Sequence, residues 1–193
     1  IILAQLGYQV TAVDYTASML EEARHNAGAL ADRIDFRRMN AEELLFGEHS
    51  FDVLVTRNLT WNLPNPEKAY GQWVRVLAPG GLLLNFDANW YRYLWDEKAS
   101  LGHKQDRENL AVSDVRDENA GTDVDAMEAI ARQTPLSRQQ RPQWDLSVLA
   151  GLGIHANADE HIWQRVWTRE ERINNASTPM FLVEGWKASL SES

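Results

Sequence analysis

Asp14 lies where a short apolar segment ends and a helix-like one begins, in the stretch VTAVDYTASMLEEAR (residues 10–24). In open α/β sheets, ligands bind beyond the carboxyl ends of the strands, and a carboxylate at that edge can accept hydrogen bonds from both hydroxyls of a ribose. The same aspartate could instead cap the helix that follows. These residues alone support the two interpretations about equally.

A second polar position follows the next apolar run. RRMNAEELLF (residues 37–46) places Asn40 and Ala41 directly after a strand candidate. A polar side chain there could meet the edge of an adenine ring, and the small alanine would leave room for the ring. Asn40 followed by Glu43 also fits a helix cap with an acidic third position, and from these residues alone that structural interpretation is the stronger one.

The loop after FDVLVT carries a third group of polar and aromatic side chains. In VTRNLTWNLPNP (residues 55–66), they are Arg57, Asn58, Trp61 and Asn62. A strand that leads through a polar loop into a proline-started helix has that loop at the ligand-binding edge of a parallel sheet. A purely structural loop is the alternative.

Short apolar runs bounded by turn residues predict the strands that must position these side chains. They lie at residues 10–13, 34–39, 51–56 and 82–86. The run at 51–56 is typical of a strand that is covered on both faces. Because helical patterns alternate with the strands, we expect an α/β fold with a parallel sheet and right-handed crossovers.

Two helices between these strands carry recognisable signals. Ser18 and Glu21 predict a capping box at the start of the first helix. The second follows Asn65 and Pro66, and Pro-Gly-Gly at 79–81 ends it. Its buried stripe is predicted to be Ala69, Trp73, Val76 and Leu77.

Residues 88–143 break the alternation and predict a helical insertion. Aromatic residues come first, followed by an acid-rich stretch (106–128). Within and beyond it, DVRDEN (114–119) and TDVDAMEAIARQ (122–133) are typical of a solvated surface. SRQQR comes next, and its arginines are expected at the surface, although they could hold an anionic group. Further on, 144–153 predicts a helix, and 162–167 with 180–187 predicts a closing pair of strands.

Composition limits the classes of function. The 193 residues suit a single domain, 1–193, with the insertion inside it, and 19 basic against 28 acidic residues give a formal charge of −9. That charge argues against nucleic acid or an anionic membrane as the main partner. The chain has no cysteine, which excludes disulfides and cysteine nucleophiles, and we expect no metal site. With no membrane-length apolar run and no visible signal peptide, a cytoplasmic protein is expected.

Taken in order, these stretches resemble the class I S-adenosylmethionine-dependent methyltransferases, especially the small-molecule enzymes related to quinone biosynthesis. The resemblance rests on VTAVDYTASML, on Asn-Ala-Glu at 40–42, on FDVLVTRNLTWNLPNP and on VLAPGGLLLNF. It covers residues 3–87 well and 144–187 loosely. No single motif decides it, but the ordered set with these gaps is fairly specific.

The resemblance implies a Rossmann-like sheet with helices on both faces, and S-adenosylmethionine as the methyl donor. It places Asp14 at the cofactor ribose, Asn40 and Ala41 beside the adenine, and the loop after residue 56 under the methionine end. The cofactor-binding set that it implies is Asp14, Tyr15, Met19, Asn40, Ala41, Glu42, Arg57, Asn58 and Leu59.

The chain departs from the family pattern at three points. Asn40 replaces the usual acid, so its amide oxygen can still accept from the adenine amino group, but without charge-assisted strength. Asn62 stands where many relatives have histidine. The family's central first strand and glycine-rich loop should lie just before Ile1, where the sequence opens inside a helix, so we infer that the true N-terminus is missing. Without that strand, its two neighbours would expose unpaired edges.

The resemblance also implies a small-molecule acceptor, bound under an aromatic roof that excludes water. The residues expected to bind it are Trp61, Asn62, Trp90, Tyr91, Tyr93 and Trp95. Such rings could face the sulfonium charge. The alternative, equally supported, is that the aromatics of the insertion only pack it onto the domain. A homo-oligomer is compatible with the sequence.

The sequence identifies no catalytic base. Its histidines are expected at surface or packing positions: His25, His49, His103, His155 and His161. An NAD-dependent oxidoreductase would also carry an acid after its second strand, but the Tyr-x-x-x-Lys pair expected of one is absent, since Tyr70, Tyr91 and Tyr93 are followed four positions on by valine, tryptophan and glutamate. A methyltransferase-like module without catalytic activity remains the second alternative.

Overall fold

The computed structural model describes residues 1–189. The chain divides into two compact units, the first spanning Ile1–Gly47 and the second beginning at Glu48. Among the described residues, no helix has the length and apolar character that crossing a membrane requires.

The first unit is a two-stranded parallel sheet with helices packed on it. Its elements are α1 (Ile2–Gln5), β1 (Val10–Asp14), α2 (Ala17–Ala27), a 3-10 turn (Gly28–Arg33) and β2 (Ile34–Arg38). Val10 lies opposite Ile34, and Asp14 lies opposite Arg38. The core consists of Ala4, Ala27 and Ile34, with half-buried Val10, Ala12, Ala31 and Phe36 around them.

The start of α2 differs from the predicted capping box. The N-cap is Thr16, and its side chain makes no capping hydrogen bond. Because the helix begins at Ala17, Ser18 lies inside the first turn, where its hydroxyl cannot act as the N-cap. Asp14 Oδ1 instead accepts a hydrogen bond from the Thr16 backbone N–H at 2.7 Å.

The second unit contains a four-stranded mixed sheet, in the order β3-β4-β6-β5. Its strands are β3 (Phe51–Arg57), β4 (Leu77–Asp87), β5 (His155–Asp159) and β6 (Phe181–Trp186). β3 and β4 are parallel, whereas β6 runs antiparallel to both β4 and β5. The predicted α/β class is confirmed. The expected parallel pairing is found between β1 and β2 and between β3 and β4, but not for β6.

The helices of the second unit are α3 (Pro66–Val76), α4 (Glu97–Ala111), α5 (Val124–Ala131), α6 (Gln143–Gly151), α7 (Trp163–Val166) and α8 (Arg169–Asn174). Short 3-10 turns occupy Thr60–Asn62, Arg92–Leu94 and Pro135–Arg138. The predicted stripe of α3 is confirmed at Ala69, Trp73 and Val76, which are buried, whereas the equally buried Leu77 is the first residue of β4.

Two features of β3 and β4 differ from the predicted pattern. β3 was expected to be covered on both faces, yet Val53 and Val55 are 44% and 42% exposed. Within residues 1–189, β3 pairs with β4 alone, so it is an edge strand of its sheet. β4 begins at Leu77 and includes the Pro-Gly-Gly segment, where a Cβ on Gly81 would lie 2.8 Å from the Ala78 carbonyl oxygen. Only glycine fits that close backbone approach.

The prediction of a strand at 162–167 is wrong, because α7 occupies this stretch and the strand lies earlier, at β5. Apolar residues at 162, 163, 166 and 167 have helical spacing, which the expectation of alternation overlooked. Ile162 and Trp167 pack with Met180 and Leu182 in a small core.

Residues 88–143 contain α4, α5 and two 3-10 turns. Asp96 and Asp123 cap the two helices, accepting from the Ala99 and Ala126 backbone N–H groups. That this segment forms a lid within one methyltransferase domain stays a prediction.

Candidate functional site

The first unit brings Asp14 and Asn40 to one edge of its sheet. Asp14 ends β1 and lies opposite Arg38, the last residue of β2. The Met39 backbone N–H donates to the Asp14 carbonyl oxygen at 2.9 Å, which extends the pairing one residue further. Because the strands are parallel, the side chains that follow both carboxyl ends share the ligand-binding edge.

The Asp14 carboxylate takes part in a local turn and keeps further capacity to accept. Its Oδ1 holds the Thr16 N–H, as described above. A carboxylate has about four acceptor positions on its two oxygens, so one backbone contact leaves room for a diol. The helix-cap interpretation of Asp14 is wrong, because the N-cap of α2 is Thr16. Asp14 shapes the turn before α2 and keeps acceptor positions for a ligand.

Asn40 does not cap a helix. Its Oδ1 accepts from the Glu42 backbone N–H at 2.9 Å, and the chain turns there, with an isolated bridge between Asn40 and Glu43. The helix-cap interpretation is wrong, because residues 41–46 form turns and loops. With the amide oxygen already engaged, the two N–H donors of this exposed side chain are its main means of contacting a base edge.

The remaining predicted residues of this unit differ in burial. Tyr15 and Met19 are 68% and 57% exposed, whereas Ala41 is half-buried and Glu42 is buried. Arg38 Nε donates to the Tyr15 carbonyl oxygen at 3.0 Å, which ties the start of the loop after β1 to the end of β2. Their assignment to a cofactor site stays a prediction.

The second unit contains an open cavity of about 270 Å³. It is lined by Asn58, Trp61, Trp90, Tyr91, Tyr93, His103, Asp106, Arg107, Asn119, Asn174, Asn175 and Thr178. Five of these, from Asn58 to Tyr93, belong to the predicted site. Their grouping arises because the loops after β3 and β4, two adjacent parallel strands, emerge at the same end of the sheet.

A continuous row of aromatic rings forms one wall of the cavity. Trp61 and Tyr91 have ring centroids 5.1 Å apart, and Tyr91 and Tyr93 are 5.8 Å apart. The His103 ring stacks on Tyr93 with a centroid distance of 3.9 Å and an interplanar angle of 3°. Trp61 Nε1 donates to the Asn58 carbonyl oxygen at 3.1 Å, which fixes the indole orientation.

The Asp87 carboxylate holds two of these aromatic residues in place. It is fully buried at the end of β4. Its Oδ2 accepts from the Trp61 backbone N–H at 3.0 Å, and its Oδ1 accepts from Trp90 Nε1 at 3.1 Å. Oδ1 also accepts from the Ala88 N–H at 2.9 Å. One carboxylate therefore positions the loops after β3 and β4 together.

Arg141 balances the charge of this buried carboxylate. Its side chain is 1% exposed, and its Nη1 lies 2.7 Å from Asp87 Oδ2. Nε and Nη2 donate to the two oxygens of Asp145 at 2.9 and 2.7 Å. Burial raises the pKa of Asp87, while Arg141 opposes that shift. The two carboxylates outweigh the effect of burial on Arg141 and raise its pKa.

The network continues through neutral groups into the core. The Tyr70 hydroxyl donates to Asp145 Oδ1 at 2.6 Å and accepts from Asn85 Nδ2 at 2.7 Å. Asn85 Oδ1 in turn accepts from the hydroxyls of Thr56 and Thr60, at 2.8 and 3.1 Å. Burial, then the Asp145 carboxylate, raises the pKa of Tyr70 well above its ordinary value, so the hydroxyl remains a donor.

Four predicted residues of the second unit do not line the cavity: Arg57, Leu59, Asn62 and Trp95. Arg57 pairs with Glu171 in the capping box of α8. Trp95 packs under a guanidinium, with Arg138 Cζ 3.9 Å from its ring centroid. Asn62 is exposed and Leu59 half-buried. Their roles in binding stay predictions.

Sequence reasoning missed several residues that shape this region, namely Asp87, Arg141, Asp145, Asp106 and His103. The expectation of a surface position is wrong for Arg141, which is 3% exposed, and Asp106, for which no role was predicted, is 4% exposed. Asp87 had a usable signal, since it follows the strong strand LLLNF and so ends a strand as Asp14 does. His103, Asp106 and Arg107 also had one, because i, i+3 and i+4 spacing places them on one face of α4.

Comparisons with known proteins find that part of the chain is similar to methyltransferases. Residues 1–85 match the family model of a methyltransferase domain. The chain is 38% identical over 85 residues to a ubiquinone/menaquinone biosynthesis C-methyltransferase, UbiE, of Roseobacter denitrificans, a match that covers 42% of this chain and 34% of that protein. It is 33% identical over 81 residues to the demethylmenaquinone methyltransferase of Desulfitobacterium hafniense, covering 41% and 32%. The matched segment spans about a third of the length of these curated relatives.

The fold is also similar to that of solved structures. The geranyl diphosphate C-methyltransferase of Streptomyces coelicolor, solved with S-adenosyl-L-homocysteine, aligns with a TM-score of 0.59 at 12% identity, covering 97% of this chain and 65% of that one. At this identity the likeness concerns the fold alone. Over residues 1–85 the chain is therefore similar to methyltransferase domains, including those of quinone-biosynthesis enzymes.

Proposed function

We propose that the full-length protein transfers a methyl group from S-adenosylmethionine to a small-molecule acceptor. The observation that carries this proposal is that Asp14 and Asn40 lie at the carboxyl ends of two adjacent parallel strands, inside the segment that matches a methyltransferase domain. Names of the relatives add support, since the UbiE protein is a C-methyltransferase and the structural neighbour acts on geranyl diphosphate.

The residues of the first unit fit the adenosine part of S-adenosylmethionine. The Asp14 carboxylate has acceptor positions left for both ribose hydroxyls once the Thr16 N–H is bound. Asn40 is exposed at the same edge and offers amide donors to a base. We assign Tyr15, Met19, Ala41 and Glu42 to the surroundings of the same group, and we retain Arg57, Asn58 and Leu59 as candidate cofactor contacts.

The cavity of the second unit suits the acceptor. At about 270 Å³ it lies near the lower end of ligand pockets, which typically measure roughly 300–1,000 Å³. Its aromatic wall favours a small, partly apolar molecule, and its asparagines, Asp106 and Arg107 offer polar contacts that would orient such a molecule. Among the predicted acceptor residues, Trp61, Trp90, Tyr91 and Tyr93 line this cavity.

Bound S-adenosylmethionine supplies an electrophilic methyl group on a positively charged sulfur. The protein's contribution is to align the acceptor in a dry site, which is worth up to about 7–11 kcal/mol in the best intramolecular cases. Aromatic faces can stabilise a nearby cation by about 0.5–2 kcal/mol. Asp87 serves this alignment, because its carboxylate bonds both Trp61 and Trp90 while Arg141 balances its charge.

The partners follow from the same features. The formal charge of −9 is unfavourable for a nucleic-acid acceptor, which supports a small molecule. Among the described residues, no group of three or more His, Asp or Glu side chains is placed to hold a metal ion. We propose a cytoplasmic location, and we leave a homo-oligomer as compatible with the chain.

Calorimetric titration of the full-length protein tests the cofactor. S-adenosylhomocysteine should bind with a one-to-one stoichiometry, and NAD should give no heat of binding beyond dilution. Binding of NAD instead would indicate an oxidoreductase. If neither compound binds while the protein is folded by circular dichroism, the non-catalytic module becomes the better account.

A substitution in the cavity tests the acceptor half of the proposal. Trp61→Ala removes a ring from the cavity wall and should weaken binding of an aromatic acceptor, with little effect on S-adenosylhomocysteine. Trp186→Ala is the matched control, since this half-exposed tryptophan at the end of β6 does not line the cavity. Equal loss in both variants would show that the cavity does not hold the acceptor.

A further inference from the structure

The position of His103 is not accounted for by packing or by exposure to solvent alone. It projects from α4 into the cavity wall and stacks face to face on Tyr93. Within the part of the chain that the structure describes, its ring nitrogens have no hydrogen-bond partner. A half-buried imidazole whose face is fixed and whose nitrogens are free of protein contacts is suited to interact with a molecule in the cavity.

The helix that carries His103 is held firmly at this position. A Cβ on Gly102 would lie 2.8 Å from Ser177 Cβ, so glycine is what allows α4 to approach this segment. Asp106 Oδ2 accepts from the Ser177 backbone N–H at 2.9 Å. Arg107 donates to the Asn174 carbonyl oxygen and pairs with Asp117. These contacts hold the part of α4 that carries His103 in place.

Tyr93 is fixed just as firmly on the other side of the imidazole. Its hydroxyl donates to Glu128 Oε1 on α5 at 3.0 Å. Burial, then the Glu128 hydrogen bond, raises the pKa of Tyr93 far above its ordinary value, so the phenol stays neutral and does not compete for a proton. The same residue orients the ring on which His103 stacks.

Resting on the proposed methyl transfer, we propose that His103 accepts the proton that the acceptor loses when it is methylated. The acceptor atom forms a bond to the methyl carbon, and the sulfur–carbon bond breaks with its electron pair staying on sulfur. The proton of the acceptor atom moves to a nitrogen of His103, which becomes an imidazolium. Solvent takes this proton through the open side of the cavity before the next cycle.

The charges around His103 suit this role in both protonation states. Burial, then Arg107, lowers the pKa of His103, which keeps the imidazole neutral and able to accept at neutral pH. Asp106 and Glu128 act in the opposite direction and would stabilise the imidazolium once it forms. Together with Tyr93, these are the titratable and charged groups that face the ring.

This role of His103 sets a chemical requirement on the acceptor. Its methylated atom must carry a proton, as a hydroxyl, an amine or an acidic carbon does. An acceptor whose nucleophilic atom has a free lone pair and no proton to lose would gain nothing from His103. The aromatic wall adds that the proton-bearing group lies on a flat or partly apolar molecule.

A phenol that changes colour on ionisation tests the inference without requiring methyl transfer. 4-Nitrocatechol would be titrated against pH while bound to the full-length protein, with binding followed by tryptophan fluorescence and ionisation by visible absorption. A proton-accepting imidazole should lower the pKa of the bound phenol by about one unit or more relative to His103→Phe, because an opposite charge within contact favours the phenolate.

The variants separate proton transfer from packing. His103→Phe keeps a ring on Tyr93 and removes the nitrogens, and His161→Phe controls for loss of an exposed histidine outside the cavity. Should His103→Phe not fold, His103→Gln replaces it, since glutamine bonds a phenol without taking its proton. The same phenol pKa in wild type and variant, or no binding of the probe to wild type, would overturn the role of His103. Failure of S-adenosylhomocysteine to bind would overturn the methyl transfer instead, so the two failures are distinguishable.

Discussion

The polar residues of the two units are held by different kinds of contact. In the first unit, Asp14 and Asn40 accept from backbone N–H groups two positions further along the chain. In the second, Tyr70 bonds Asp145 across 75 residues, and Asp87 bonds Arg141 across 54. The polar residues of the first unit are held by local turns, and those of the second by buried contacts between distant parts of the chain. The residues of the first unit therefore keep acceptor positions for a ligand, whereas the polar groups of the second are used to position other residues.

The difference has an energetic consequence. Removing one partner of a buried ion pair leaves an uncompensated charge in a low-dielectric interior, which costs several kcal/mol. An exposed side chain in a local turn is solvated whichever residue replaces it, so its loss affects binding more than folding. Substitutions in the buried polar network of the second unit should therefore lower stability, and those at Asp14 or Asn40 should lower cofactor affinity.

Arg141→Met tests the buried side of this comparison and should have the largest effect. It leaves Asp87 and Asp145 buried without their cation, so we expect a loss of about 3–5 kcal/mol in the free energy of unfolding. Chemical denaturation followed by circular dichroism measures it. Arg165→Met is the control, because its pair with Asp159 is exposed and should cost less than about 1 kcal/mol. Equal losses would show that the network is not a stabilising unit.

Asp14→Asn tests the role of the exposed polar residues of the first unit. The amide oxygen can still accept from the Thr16 N–H, so the turn is kept while the charge is lost. S-adenosylhomocysteine should bind about 10–100-fold more weakly, equivalent to about 1.5–3 kcal/mol for hydrogen bonds to a charged group. Calorimetry measures the change, with Asp35→Asn as the control, since that exposed aspartate pairs with Arg37. Unchanged affinity would remove Asp14 from the cofactor site.

Tyr70→Phe probes the neutral part of the network. Loss of the hydroxyl leaves the Asn85 amide and Asp145 each short of one buried hydrogen bond, which should cost about 1–3 kcal/mol in the free energy of unfolding. Tyr8→Phe, on an exposed tyrosine, should leave stability unchanged. If both variants had the same unfolding midpoint in denaturant as the wild type, the Tyr70 hydroxyl would not contribute to stability.

Protonation of His103 should have the smallest effect, which would be seen as a pH dependence of the free energy of unfolding. The pKa of His103 is lowered from an ordinary value of 6.5, so between that value and its folded-state pKa the unfolded chain binds more protons. Stability should therefore decline as pH falls below about 6.5, by well under about 1 kcal/mol because solvent screens this half-exposed ring.

His103→Phe should flatten this dependence, and His161→Phe should not. Thermal unfolding between pH 5 and pH 8 provides the measurement. A slope that is the same in all three proteins would mean that His103 titrates as it does in the unfolded chain.

The parts of the site that arise locally could be predicted from the sequence, and the parts that arise from tertiary contacts could not. Asp14 was found because a strand ends there and a helix follows. Arg141 was expected at the surface, because no pattern in the neighbouring sequence indicates that Asp87 is its partner. At 162–167, the pattern was available but was interpreted as a strand, although apolar residues at helical spacing indicated α7.

Burial of a single acidic residue could not be predicted from the sequence either. Asp106 belongs to an acid-rich stretch, and nothing in that stretch indicates that it is buried and accepts from the Ser177 backbone N–H. Sequence composition reports the average of a segment, and a single buried carboxylate within it depends on the donor that the fold brings to it.

A crystal structure of the full-length protein with S-adenosylhomocysteine tests the central claim most directly. We predict that both ribose hydroxyls lie within hydrogen-bond distance of the Asp14 carboxylate and that the adenine edge lies beside Asn40. Density for the compound at any other place, with Asp14 bound only to the Thr16 N–H, would contradict the account.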